Sequence, residues 1–507
     1  MTTLVSTTDT VTRDALAVLQ PGFTGTTAPD WLLRRVGEGL ASVGLFGRNI
    51  HSPEQLAALT ARLRAERDDV LVAIDEEGGD VTRLEVRDGS SFPGNLALGS
   101  VDDVELTRAV ARELGRRLAE CGVNLNWAPS ADVNSNPGNP VIGVRSFGAD
   151  PDLVARHTAA YVQGLQASGV AACTKHFPGH GDTAVDSHLA LPSIEVDLET
   201  LHARELVPFR AAIAAGSKSV MSAHILLPAL DAARPATLSP QILTGLLRQE
   251  LGYEGLIVTD GMEMDAIAGT YGIERGSVLA IAAGADAICV GGGLADEDTV
   301  LLLRDALVAA VRSGDLPEER LADAAARVRA LASWTQRARG AGSEPGAAVQ
   351  EGTAPGTGVS SDIGLAAARR ALRSTGTAAP QTEPVYVAAF TPVANIAVGA
   401  ETPWGVAAEL ERLLPGTTTG TYGGAEVDAV LRAAGERRVV AVVRDEHRHP
   451  WMGEALDGLL AARPDTVVVE MGLPEAPARG ALHIATYGAA RVCGAAAAEA
   501  ITGARTA

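Results

Sequence analysis

The chain has 507 residues, of which 46% are hydrophobic, 21% charged and only 4% aromatic, enough for two or three domains with cores built mainly from Ala, Val, Leu and Ile. A formal net charge of -20 repels nucleic acid and anionic membranes, which argues against both as partners. Cys121, Cys173, Cys289 and Cys493 lie far apart with no C-x-x-C pair, so no disulfide framework is expected.

The first twenty residues, MTTLVSTTDTVTRDALAVLQ, lack a basic region followed by an apolar one, and no apolar run reaches the length of a bilayer crossing. The expectation is a reduced, cytoplasmic enzyme. Short apolar runs then recur: ALAVLQ at 15–20, SVGLFGRN at 42–49, VLVAIDEEG at 70–78 and VNLNWAPS at 123–130. They continue with VAACTKHFPG at 170–179, KSVMSAHI at 218–225, GLIVTDG at 255–261 and ADAICVGG at 285–292. Segments with a 3.6-residue period separate them, such as LTRAVARELGRRLAEC at 106–121, which implies parallel βαβ units. Eight strands in roughly 300 residues fit an α/β fold of the (β/α)8 TIM-barrel type. A doubly wound open sheet would give the same alternation. Asp75, Asp132, Lys175, His176, His224 and Asp260 fall just past the ends of several strands, and only a barrel brings such ends around one mouth.

The barrel domain is expected over residues 1–336. A Gly/Pro/Ser/Thr-rich linker follows over 337–362, then a smaller α/β sandwich domain over 363–507 with strands PVYVAAF, RRVVAVVR and DTVVVEMG. The segment RDEHRHPW at 444–451 reads as an interdomain contact or as the contact of a homodimer, rather than as a ligand site.

Chemistry concentrates in ACTKHFPGHGDTAVDSHLALP at 172–192. Its glycines and proline break regular structure, so Lys175, His176, His180, Asp182, Asp186 and His188 sit on a loop leaving a strand. The Asp186-Ser187-His188 spacing lets the carboxylate bond an imidazole N–H and orient the ring. A metal site using His176 and His180, as in a metal-dependent barrel hydrolase, is the other reading. The Pro-Gly between them opposes the helical geometry such a ligand pair needs.

The motif K-H-F-P-G-H-G-D-T-x-x-D-S-H-x-x-L-P at 175–192 resembles the signature of glycoside hydrolase family 3, in its β-N-acetylglucosaminidase branch. Supporting stretches are Asp75-Glu76-Glu77-Gly78-Gly79, N-P-x-N-P-V-I-G-V-R-S-F-G at 136–148, M-S-A-H at 221–224 and T-D-G-M-E-M at 259–264. The resemblance covers residues 12–335 and implies a retaining β-N-acetylglucosaminidase without metal or organic cofactor. Asp260 is then the nucleophile, and His188, paired with Asp186, is the acid/base. By the same resemblance Asp75, Arg83, Arg145, Lys175 and His176 bind the sugar, while Met221 and His224 line the pocket wall. Asp132 is a brace or a sugar ligand. The substrate is an oligosaccharide or small glycoside with terminal β-linked N-acetylglucosamine, which suggests a place in glycan or peptidoglycan recycling. Phosphate in place of water as acceptor, giving a phosphorylase, is the alternative. Glu76 and Asp80 are expected to add negative charge at the mouth and to disfavour anionic muropeptides.

Overall fold

The computed structural model of the protein describes residues 9–183, 191–341, 363–393, 398–399 and 401–504. Among the described residues the barrel of the first domain has eight strands in chain order: β1 (Leu19–Pro21), β2 (Ser42–Leu45), β3 (Leu71–Ile74), β4 (Leu125–Asn126), β5 (Ala171–Phe177), β6 (Ser219–Ser222), β7 (Leu256–Thr259) and β8 (Ile288–Val290), with a separate short antiparallel pair, Leu226–Leu227 and Asp231–Pro235, between β6 and β7. Strands β2 to β7 form one parallel sheet in sequence order, and β1 pairs in parallel with β8. Thr259 N donates to the Ala287 carbonyl at 3.0 Å and Ala287 N to the Ile257 carbonyl at 3.1 Å, joining β7 to the start of β8. At the other seam Gln20 Nε2 donates to Ser42 Oγ. The sheet therefore curls into the expected barrel. Its strand residues are buried on both faces, as a parallel sheet covered by helices requires.

The outer helices follow from their caps and apolar stripes. Val104–Glu120 starts at Asp103, whose side chain accepts from Glu105 N and Leu106 N, and it buries Thr107, Val110, Ala111, Leu114 and Leu118 at the spacing of one helical face. Pro151–Ala167 packs against it, capped by Asp150 and opened by proline at its first turn.

The run ALAVLQ at 15–20 is not a strand throughout. Helix Thr10–Ala17, capped by Asp9 through Thr12 N at 2.7 Å, takes its first half, and only Leu19 and Gln20 of the run join β1. An apolar run with no alternation serves a buried helix end as well as a buried strand. At the far end of the domain, helix Glu318–Ala341 runs on past residue 337, where the linker was expected to start.

The second domain is built on a six-stranded sheet: β9 (Arg373–Gly376), β10 (Tyr386–Phe390), β11 (Thr418–Tyr422), β12 (Val439–Val443), β13 (Val467–Glu470) and β14 (Leu482–Ala485), in the order β9-β14-β13-β12-β10-β11. Only β9 is antiparallel. Alternate residues of β12 feed two cores, with Val440 and Val442 on one face and Val439, Ala441 and Val443 on the other. The result is a three-layer α/β sandwich. Among the described residues no helix is long and apolar enough to cross a membrane, and all four cysteines are free and buried.

The two domains share a polar seam. Asp80, on the loop after β3, accepts from Arg444 Nη2 at 2.5 Å and from Ala489 N at 2.7 Å. His447 Nε2 donates to the Pro137 carbonyl at 2.9 Å. The RDEHRHPW segment thus makes interdomain contacts, one of its two expected roles.

Candidate active site

The barrel gathers the strand ends into one cavity of about 650 Å³, lined by Asp75, Arg83, Arg145, Lys175, His176, Met221 and Asp260, among others. Asp75 follows β3 directly. Lys175, near the end of β5, reaches Asp75 Oδ1 at 2.5 Å and Glu77 Oε1 at 2.7 Å, and Arg83 Nη2 lies 3.5 Å from Asp75 Oδ2. Arg145 forks onto Glu77, with Nη2 2.7 Å from Oε1 and Nε 3.1 Å from Oε2. The side chains of Glu77, Arg145 and Lys175 are all buried. Although burial penalises its charge, the Arg145 and Lys175 cations hold the Glu77 carboxyl well below the usual carboxylate range. Burial likewise opposes the Lys175 charge, but Asp75 and Glu77 raise its pKa above the ordinary value. This knot of charges is rigid because each buried ion is answered by another.

Asp132 braces the loop. Fully buried, it accepts from Ser130 Oγ at 2.9 Å, His176 Nδ1 at 2.7 Å and His180 N at 2.7 Å. Burial works against its charge, yet His176 and these hydrogen bonds keep it below the ordinary carboxylate range. The other nitrogen of His176 lies 3.3 Å from Arg145 Nη2. A guanidinium only donates, so Nε2 of His176 is an acceptor and Nδ1 carries the proton toward Asp132. His180 sits beside it, its pKa pushed down to about 4 chiefly by burial.

The motif's second glycine has a steric cause. A Cβ on Gly181 would lie 1.7 Å from the Val133 carbonyl oxygen, so the loop after β4 and the loop after β5 touch backbone to backbone. Asn139 Nδ2 ties them, donating to the His180 and Gly181 carbonyls at 2.9 and 3.0 Å. The peptide bonds Lys175–His176 and Phe177–Pro178 are cis.

Asp260 follows β7. Its backbone N–H donates to the Ser222 carbonyl at 3.2 Å, and one carboxylate oxygen accepts from Gly261 N at 2.8 Å. Met221 is part of the wall. His224 is buried beneath it: Nε2 donates to the Gly261 carbonyl at 2.9 Å, and Nδ1 lies 2.8 Å from Thr237 Oγ1. It holds the turn after Asp260 in place. Asp186 and His188 lie outside the described residues. Among those described, no group of three His, Cys, Asp or Glu side chains is arranged to hold a metal.

Some residues of the site and its support carry no assignment in the sequence. Glu77 was visible inside the DEEGG run but carried no role until Arg145, 68 positions away, was seen to meet it. Trp127, whose indole donates to Gln20 at 3.1 Å, and Phe46 supply an aromatic wall. Glu401 enters from the second domain, and no local motif announces that. Glu76 and Asp80 do not charge the mouth. Glu76 points inward, accepting from Thr82 Oγ1, Arg83 N and Leu84 N, with its pKa pushed up to about 7 by burial. Asp80 is held in the domain seam.

The glycosyl hydrolase family 3 N-terminal domain model matches residues 30–331. Beta-hexosaminidase A of Pseudoalteromonas piscicida is 40% identical over 48% of this chain and 44% of its own length, so less than half of that relative is spanned. The beta-hexosaminidase of Neisseria meningitidis serogroup C is 36% identical over 51% of this chain and 73% of its own. Among solved structures, a family 3 beta-N-acetylglucosaminidase from Paenibacillus sp. strain FPU-7 superposes with a TM-score of 0.84 at 34% identity, over 98% of this chain and 97% of that one.

Proposed function

Since the chain belongs to glycosyl hydrolase family 3 and is thus a glycoside hydrolase, we propose that it is a retaining β-N-acetylglucosaminidase with Asp260 as nucleophile and His188, oriented by Asp186, as acid/base. The observation that carries this reading is the position of Asp260. It lies at the C-terminal end of β7, in the same cavity as the charged cluster of Asp75, Arg83, Arg145, Lys175 and His176. Those groups suit the hydroxyls of one sugar ring, because charge-assisted hydrogen bonds are strong and directional.

Asp260 attacks the anomeric carbon while His188, as imidazolium, protonates the departing glycosidic oxygen. A covalent glycosyl-enzyme forms, and neutral His188 then activates water to release the sugar with its configuration retained. Hydrogen-bond accounting supports His188 over its neighbours. His176 directs its proton to Asp132, and His180 has a pKa of about 4, so neither is suited to deliver a proton near neutral pH. An imidazole of reference pKa about 6.5 serves both directions there. The terminal sugar assigned is N-acetylglucosamine, in line with the beta-N-acetylglucosaminidase from Paenibacillus sp. strain FPU-7 that the chain resembles over nearly its whole length.

Two variants test the assignment on aryl β-N-acetylglucosaminides. Asp260→Ala is expected to lose turnover while keeping its thermal transition; full activity would overturn the nucleophile. His188→Ala is expected to lose far more rate on poor leaving groups than on p-nitrophenolate, and equal losses would overturn the acid role. Titrating phosphate into the wild-type assay should leave free sugar as the product. A sugar 1-phosphate would reassign the acceptor.

A further inference from the structure

We propose that Glu263 sets the acceptor of the reaction: its carboxylate fills an anion-binding corner at the barrel mouth and keeps oxyanions from the glycosyl-enzyme, so that water takes the sugar. This rests on the activity proposed above. In (β/α)8 barrels the loops after the seventh and eighth strands commonly form a phosphate site, since successive backbone N–H groups can converge on one anion. Here Gly291 and Gly292, which follow β8, both aim their N–H groups at Oε1 of Glu263, Gly291 N at 2.9 Å. A carboxylate of the chain itself therefore occupies the corner. Glu263 lies on the loop after β7, three residues beyond Asp260, and lines the same cavity. Its other oxygen, Oε2, is buried without a hydrogen-bond partner among the described residues. That oxygen lies against the turn after the nucleophile, where a Cβ on Gly261 would stand 3.3 Å from it.

The cations of the cavity are engaged elsewhere. Arg83 and Lys175 face Asp75, and Arg145 forks onto Glu77. Arg48 donates to the carbonyls of Gly291, Gly292 and Phe23, so it grips the same two glycines through their oxygens. Asp265 and Glu401 line the cavity as well. Once Asp260 is esterified its own charge is gone, and Glu263 is the carboxylate that remains three residues away. Water enters uncharged: its oxygen bonds the anomeric carbon, its proton passes to His188, and the ester bond breaks with the electron pair returning to Asp260. A phosphate dianion needs no base, because its oxygen displaces Asp260 directly. What it does need is a corner of N–H groups to hold it, and Glu263 has taken that corner. Like charges brought together in a cavity shielded from bulk water repel strongly, which disfavours the anionic acceptor.

The test reads how the full chain partitions p-nitrophenyl β-N-acetylglucosaminide between products in sodium phosphate. Wild type is expected to release free sugar throughout. Glu263→Ala, which empties the corner, is expected to raise the ratio of sugar 1-phosphate to free sugar at least tenfold. Glu263→Gln, which removes the charge alone, is expected to raise it in part. Wild type supplies a second reading that needs no variant to fold. With methanol, a neutral acceptor, it is expected to form the methyl glycoside, and with azide, a strong anionic nucleophile, no glycosyl azide. A ratio unchanged in both variants, or ready transfer to azide by wild type, overturns the proposal alone. Sugar 1-phosphate from wild type overturns it too, and reassigns the acceptor while leaving Asp260 as nucleophile. A wild-type enzyme inert on the aryl glycoside sinks the assigned activity, and this proposal with it.

Discussion

Glu77 shows how one carboxylate organises the candidate sugar site. Its two oxygens receive Arg145 and Lys175 together, which fixes both cations in a cavity where the neutral alternatives would drift. Replacing it by Gln removes a buried anion, leaving Arg145 against a neutral amide and Lys175 with Asp75 alone, and breaking a buried pair costs about 3–5 kcal/mol. Glu77→Gln is therefore predicted to cut kcat/KM by about 100-fold, equivalent to about 2.7 kcal/mol, and to lower the melting temperature. Activity within twofold of wild type would show that the cluster orients without it. The same residue marks a limit of sequence reading. Asp75, Lys175 and His176 declared themselves by clustering at strand ends, whereas a glutamate among three consecutive acids has no local feature to separate it from its neighbours. Only the fold divides them: Asp75 lines the cavity, Glu77 lies buried behind it against Arg145 and Lys175, and Glu76 turns inward to Thr82, Arg83 and Leu84.

At the scale of elements, the loop after β5 is anchored by a helix that the motif does not mention. Arg204 donates to Asp182 Oδ2 and to Glu205 Oε1, both at 2.6 Å. The other oxygen of Glu205 is buried without a hydrogen-bond partner among the described residues. Burial raises its pKa from 4.5 to about 7. Below about pH 4.5 the group is neutral whether folded or unfolded. Between 4.5 and 7 only the unfolded chain ionises, so stability falls as pH rises, and above 7 the cost is complete at up to about 3 kcal/mol. Glu205→Gln is predicted to flatten that decline, its melting temperature gaining on wild type between pH 5 and pH 8; a constant difference across the range would contradict the raised pKa. Elements were legible where burial imposes a pattern. The runs that became β2 to β8 are apolar because both faces are covered. The edge strands β9, RSTG, and β11, TTGTY, were missed since their residues are largely exposed and carry no apolar alternation. Strand β1 was misread because helix and strand share one buried run.

At the scale of the whole molecule, the second domain completes the site instead of trailing from it. Helix Ile363–Ala371 meets the barrel so closely that a Cβ on Gly364 would lie 1.8 Å from the Ser91 carbonyl oxygen. Arg370 pairs with Asp103 at 2.8 Å, and Arg491 donates to Gly89 and Ser91. The most buried of these ties is Asp80 with Arg444. Asp80→Asn is predicted to cost about 3 kcal/mol by leaving Arg444 without its anion, and calorimetry should then resolve two transitions where wild type has one. An unchanged thermogram would mean that the seam holds without this pair. Such long-range ties cannot be read from a chain in which Asp80 and Arg444 stand 364 positions apart.

The central claim is a covalent intermediate on Asp260, and the configuration of the first-formed product tests it most directly. Proton NMR of early p-nitrophenyl β-N-acetylglucosaminide hydrolysis is predicted to show β-N-acetylglucosamine first, with the α-anomer appearing only by later mutarotation. If the α-anomer forms first, the reaction inverts, and Asp260 is not a nucleophile in it.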